Sequence, residues 1–247
     1  MDISTQIQSR KGEQGFTLVE LAVVMIIIGV LIGGILKGQE MVENARLTST
    51  AGDMERFGAA YNSFLDQYNT QPGDMNNATA RLADCGVYNA CQNGGGNGVI
   101  DISVGEGPGN DEGTFFFGQL LAAGLISGMD GSDNGAAPAF AVTNPTAPVG
   151  GGFKVGDARD GVQANTFTAA NMRARPHIVL DGAIGNTAAG TGLIIGSQAE
   201  RIDLRLDDGN PQVGVIMGVN QNGSCVATAN DVTYTGFNNA CAIAYRM

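Results

Sequence analysis

The chain has 247 residues, 24 of them acidic and 13 basic, for a formal net charge of −11 at pH 7. That balance argues against a nucleic-acid partner, whose phosphates require a basic footprint. With 38 glycines, 43% hydrophobic and only 15% charged residues, the chain can bury one ordinary core plus an extra element, and it reads as loop-rich and antiparallel rather than as a helical bundle.

Residues 1–15 are polar and carry Arg10 and Lys11 just before an apolar run, FTLVELAVVMIIIGVLIGGIL, from Phe16 to Leu36. At the helical rise this run spans about 31 Å, one hydrocarbon thickness. The basic flank puts Met1 in the cytoplasm and the C-terminus outside. A secretory signal has a shorter apolar core with a small-x-small cut site beyond it, and GGILKGQE is not such a site. A plain anchor fits the length but not Glu20. A carboxylate inside the bilayer costs about 2.5–3.5 kcal/mol even on lenient scales, so Glu20 implies a function and a partner.

The stretch Lys11–Glu20, KGEQGFTLVE, resembles the prepilin signature: a basic leader ending in Gly, then Phe, Thr, Leu, a hydrophobic residue and Glu. The family comprises type IV pilins, minor pilins and the pseudopilins of type II secretion. The resemblance implies an α+β, pilin-like lollipop with one long N-terminal helix packed on an antiparallel β-sheet head. The corresponding layout is a cytoplasmic leader 1–15, a helix 16–69 with 16–36 transmembrane, and an extracytoplasmic head 70–247.

That resemblance also implies chemistry done to the chain rather than by it. A prepilin peptidase cuts between Gly15 and Phe16 and methylates the new Phe16 amine. Glu20 pairs with the Phe16 amino group of a neighbouring subunit, since two opposite buried charges partly compensate each other and favour one register. The partners are the chain itself or other pilins in a helical filament, the peptidase, and an inner-membrane assembly platform. The precursor sits in the inner membrane, and the mature form in a pilus or a periplasmic pseudopilus. No cofactor or catalytic residue is implied. Three readings stay open: pilin or minor pilin, pseudopilin, and a membrane-anchored binding protein that never polymerises. Glu20 opposes the third, and two disulfides with a large head lean slightly to the first.

Small residues recur as Gly29-x-x-x-Gly33 and Gly34-x-x-x-Gly38, a spacing that permits close helix approach and is also common in membrane helices generally. No proline interrupts the chain between Phe16 and Pro72. Beyond Leu36 the helical pattern persists: Leu47, Ala51, Met54, Gly58, Tyr61, Leu65 and Tyr68 recur in four- and three-residue steps, widened by Phe57 and Phe64. This stripe predicts a seam against the head. Gln71-Pro72-Gly73-Asp74 ends the helix.

In the head, YNTQPGDMNNAT (Tyr68–Thr79) resembles a YxxxPGDxxNAT stretch found after the long helix in one group of prepilin-type proteins. EGTFFFGQLLAAGLI (Glu112–Ile126) predicts a short helix capped by Asp111 or Thr114 and followed by Gly128. For RIDLRLDDGNPQVG (Arg201–Gly214), strand-like alternation conflicts with a Ser197/Glu200 capping box; the box and the family pattern favour a short helix. Brief apolar runs at Gly98–Ile102, His177–Leu180, Gly192–Ile195, Val213–Val219, Val232–Phe237 and Ala240–Tyr245 predict an antiparallel sheet. Residues 128–161 read as a long exposed loop.

The four cysteines form two local pairs, Cys85 with Cys91 and Cys225 with Cys241. Their even number fits oxidised staples outside the cytoplasm. Three connectivities are possible, of which local pairing is the simplest, and the second pair is similar to the disulfide-bounded loop near the end of pilins.

Signals for other chemistry are faint. His177, the only histidine, reads as a satisfied core or edge residue, which leaves no nucleophile triad. Gly94–Gly98 lacks the lysine and following helix of a phosphate loop and reads as a turn. Asp130–Gly135 begins like a calcium loop, but the twelfth position falls on Ala141, where a bidentate acid is required. Asp207 and Asp208 are weak calcium candidates, by resemblance to major pseudopilins that hold calcium in a head loop; a solvated turn is the default.

Overall fold

The computed structural model describes residues 15–101, 112–132, 139–157, 159, 175–182, 192–219, 225, 232–234 and 241–247. The chain divides into two units, Met1–Asn44 and Ala45–Met247, and the boundary falls within helix α1, Leu18–Tyr68.

In the first unit the apolar side chains are on the outside. Val19, Met25, Ile26, Val30 and Leu36 are exposed, and none of the most apolar 18-residue window, of mean hydropathy 2.8, is buried within the chain. A helix of this length and composition suffices to cross a membrane.

The second unit holds the core. From Leu47 onward α1 buries Leu47, Ala51, Met54, Phe57, Gly58, Tyr61 and Phe64, the stripe read from the periodicity, with Leu65 and Tyr68 half-buried at its end. The helix stops because Asn69 takes the left-handed conformation (φ 54°), a conformation that Asn tolerates at this position.

Four strands, β1 Gly152–Asp157, β2 Pro176–Asp181, β3 Ile216–Val219 and β4 Ala242–Arg246, form one antiparallel sheet in the order β1-β2-β4-β3. Alternation turns Phe153, Val155, Ile178, Leu180, Ile216 and Ile243 into the main core. There the Phe57 ring meets Phe153 at 5.1 Å and Phe117 at 5.7 Å, both edge to face. Val179, Ala242 and Ala244 form a second small cluster. This is the pilin-like α+β fold, a long helix packed through its second half on a four-stranded antiparallel sheet.

Several expectations for the head need correction. Strand β1 lies inside the stretch read as an exposed loop. Its two apolar residues, flanked by glycines, were too few to stand out, yet Phe153 fills the centre of the core. Conversely, Val99 and Ile100 are not in a strand, although Ile100 is fully buried. Of Gly192–Ile195 only an isolated bridge, Ile194 to Cys241, is formed. The run Val232–Phe237 is described only at 232–234, which are not strand.

Helix α3, Glu112–Ala122, ends four residues before Ile126. Gly124 adopts φ 70°, Leu125 N–H donates to the Leu120 carbonyl and Gly124 N–H to that of Leu121, the double bond pattern of a glycine-terminated helix. Thr114 lies inside the helix rather than capping it, and Asp111 is outside the described residues. Helix α4, Gly196–Leu206, starts earlier than expected. Its N-cap is Ile195, whose N–H donates to Gln198 Oε1 at 3.0 Å, so Ser197 and Glu200 are not the box. Residues Asp207–Gly214 form turns, not helix.

Short helix α2, Ala78–Arg81, and a 3₁₀ turn, Ala83–Gly86, follow the PGD stretch. Asp74 there accepts the N–H groups of Asn97 and Gly98 at 2.8 Å each, and Glu112 accepts those of Gly95 and Asp101. Gln119, fully buried, accepts Gly73 N–H at 2.7 Å and donates to the Gln92 carbonyl at 2.8 Å. The Gly94–Gly98 segment is therefore a turn whose amides are taken up by two of the chain's own carboxylates and are not free to cradle a phosphate.

Candidate functional site

The N-terminal site begins with non-helical residues Gly15, Phe16 and Thr17, after which α1 starts. Thr17 N–H donates to Glu20 Oε2 at 2.9 Å, Thr17 Oγ1 donates to the same oxygen at 2.8 Å, and Glu20 N–H donates to Thr17 Oγ1 at 3.2 Å. This is a reciprocal capping box, which satisfies two donors left over at a helix start. It was legible as Thr-x-x-Glu, yet the carboxylate in the apolar run drew attention to Glu20 alone. The geometry brings Gly15, Phe16 and Glu20 to one helix end. Phe16 is 86% exposed, and a side chain on Gly15 would meet nothing within 4 Å. Nothing in the packing of the described residues requires glycine there.

In the second unit Cys85 is joined to Cys91 and Cys225 to Cys241. The first bridge holds a loop against α3. The second closes a sixteen-residue separation behind β4.

Asp207 and Asp208 lie with a third acid, Asp203, such that carboxylate oxygens of all three fall within 4.8 Å of one another. Asp203 was missed, although it sits one helical turn before Asp207. It is fully buried, accepts the Tyr234 hydroxyl at 2.8 Å and Gly209 N–H at 3.2 Å, and burial pushes its carboxyl up to about 6. Asp207 accepts Val215 N–H and Asp208 accepts Asn210 N–H, so each carboxylate organises local backbone. Oxygen ligands suit hard cations, and these would be the atoms to hold one. Of the other calcium-like stretch, Asp130 accepts Ser132 Oγ at 2.6 Å, and Asp133 to Gly135 lie outside the described residues.

His177 is buried in an inner strand, not at an edge, and it is not satisfied: neither ring nitrogen has a hydrogen-bond partner among the described residues. Burial lowers its imidazole to about 4, so it is neutral in the fold.

Fold and site together define a pilin- or pseudopilin-type structural subunit, a non-catalytic protein. The model for the prokaryotic N-terminal methylation motif matches residues 10–36, so the N-terminal region carries the methylation motif of prepilins and pseudopilins. Neither curated proteins nor solved structures yield a match to the chain.

Proposed function

We propose that the chain is a pilin or minor pilin of a type IV pilus-like filament. It is made as a single-pass inner-membrane precursor with leader 1–15, is cut after Gly15 and methylated at Phe16, and assembles through residues 16–36 with the head 70–247 outside. The observation that carries this reading is a carboxylate at the head of an exposed apolar helix, within the methylation motif and next to an unpacked Gly15–Phe16 bond. Exposed apolar surface of that extent needs lipid or neighbouring helices to cover it. Gly29, Gly33, Gly34 and Gly38 have nothing within 4 Å of an added side chain, so small residues there serve contacts outside the subunit.

Glu20 is held by Thr17 in the single subunit. On cleavage the Phe16 amine becomes a cation, and in a neighbouring subunit it is the charged partner that the same carboxylate can take up. Mass spectrometry of the mature protein tests the processing, with N-methylated Phe16 as the expected N-terminus; any other N-terminus overturns it. Electron microscopy of sheared surface filaments, labelled for this chain, tests the pilus. A chain found only in the envelope of cells that fail to export proteins without it would instead be a secretion pseudopilin.

A further inference from the structure

At the end of α1 the helix meets the ends of three strands. Tyr61 and Asn62 of α1, Gln71 of the following turn, Arg159 beyond β1, and Arg175 before β2 line a cavity of about 300 Å³. Arg159 is fixed in place. Its Nε donates to Asp157 Oδ1 at 2.9 Å and its Nη2 to Gln71 Oε1 at 3.2 Å, with Asp157 fully buried behind it. Its Nη1 has no partner among the described residues. Among the described residues the Arg175 guanidinium forms no ion pair, and the Tyr61 hydroxyl and Asn62 amide form no hydrogen bond. Among the described residues that line the cavity there is no Asp or Glu, and the Asp157 carboxylate behind Arg159 pairs with its charge.

In a chain of net charge −11, the described lining of this cavity gathers two guanidiniums, Arg159 paired with Asp157 behind it and Arg175 without an ion pair among the described residues. Its unspent groups are mainly donors, so its ligand must bring acceptors and negative charge. Arg159 is held in one orientation by Asp157 and Gln71 and keeps Nη1 for one oxygen of an anion, whose second oxygen is left to Arg175. The volume is at the small end for ligand cavities, the size of a short carboxylic acid or one acidic side chain. We infer that this cavity binds a carboxylate, clamped between Arg159 and Arg175 with the Tyr61 hydroxyl as a third donor. Burial pushes the Tyr61 hydroxyl up in pKa; the Arg159 charge pulls it down, Asp157 pushes it up and Arg175 pulls it down, so all three charges reach this space. The inference concerns the head alone and does not depend on polymerisation.

Two sources supply that chemistry: a free small carboxylate, or an Asp or Glu side chain of a second copy. The full chain in detergent micelles distinguishes them. Succinate is titrated against chloride at matched ionic strength while thermal unfolding is followed, and self-association is measured by sedimentation. Arg175→Gln is the informative variant, because Arg175 is exposed and has no ion pair among the described residues, so its loss leaves the core intact; Tyr61→Phe is the second. A saturable rise of the midpoint with succinate but not chloride, weakened about tenfold or more by Arg175→Gln, establishes a free ligand. Self-association that succinate competes away and Arg175→Gln weakens establishes the second copy. Absence of both, or effects of equal size in wild type and Arg175→Gln, overturns the inference.

Discussion

Gly118 of α3 lies directly against the carbonyl of Ala90, so closely that a β-carbon on Gly118 would stand 2.1 Å from that oxygen. Ala90 is inside the loop closed by Cys85 and Cys91, and its own N–H donates to the Gly131 carbonyl at 3.1 Å, so the backbone has little room to retreat. Gly118→Ala should therefore destabilise the head by about 2–3 kcal/mol, despite the better helix propensity of alanine. The control is Gly52→Ala, at an exposed helical site with nothing within 4 Å of an added side chain, which should gain about 0.5–1 kcal/mol. Urea denaturation of both variants reads the difference in sign.

The disulfides make a second test. Peptide mapping without reductant should recover Cys85 linked to Cys91 and Cys225 linked to Cys241. Replacing each pair by serine should cost about 2 kcal/mol for the shorter loop and about 3 for the longer, in the chain-entropy model.

His177 sets an acid limit. Its folded pKa of about 4 lies below the ordinary 6.5, so between those values the unfolded chain takes up a proton that the fold refuses. Stability from this group is complete above pH 6.5 and falls as pH drops toward 4, by about 3 kcal/mol in all. The Arg175 backbone and Asp157 favour the protonated ring and Arg246 opposes it. His177→Leu removes a buried imidazole whose nitrogens are unsatisfied among the described residues, so it should be as stable as wild type at pH 7, or more so. The difference between the two stability curves over pH 4–7 isolates the histidine; parallel curves would refute the assignment.

Asp203 works in the opposite direction. Its folded pKa of about 6 is above the ordinary 3.8, so its contribution shrinks as pH rises from 4 to 6. The Tyr234 hydroxyl donates to it and favours the charged form. Tyr234→Phe should cost about 1–3 kcal/mol, most above pH 6 and least near pH 4. A cost independent of pH would show that only packing was lost.

Glu20→Gln and Glu20→Leu test the assembly pair. Both should insert and be processed, since the cut bond lies outside the apolar run and Leu lowers the insertion cost. Both should reduce filament yield in a shear assay by about tenfold or more, because a charged hydrogen-bonded pair is lost. Packing alone predicts the reverse order, with Leu assembling best. Normal yield from Glu20→Leu, with total processed protein as control, would show that the carboxylate has another role.

What the residues determined on their own is what neighbours in sequence decide. Apolar length with one acid, Thr17 placed three before Glu20, cysteines six and sixteen apart, and the Leu47–Tyr68 stripe are all set by helix periodicity and chain proximity. The end of α1 and the existence of α3 and α4 follow from the same local rules. Tertiary structure decided what depends on distant partners. Phe153 becomes a core residue only because Phe57 meets it across the sheet, which is why β1 was hidden among glycines. His177 lies unsatisfied because β1 and β4 enclose β2 on both sides. Asp203 matters because Tyr234 reaches it from inside the loop closed by Cys225 and Cys241, and Arg159 and Arg175 line one cavity only where the ends of β1 and β2 are brought together. Pairings of this kind are set by packing over long sequence separations, and no local pattern of residues encodes them.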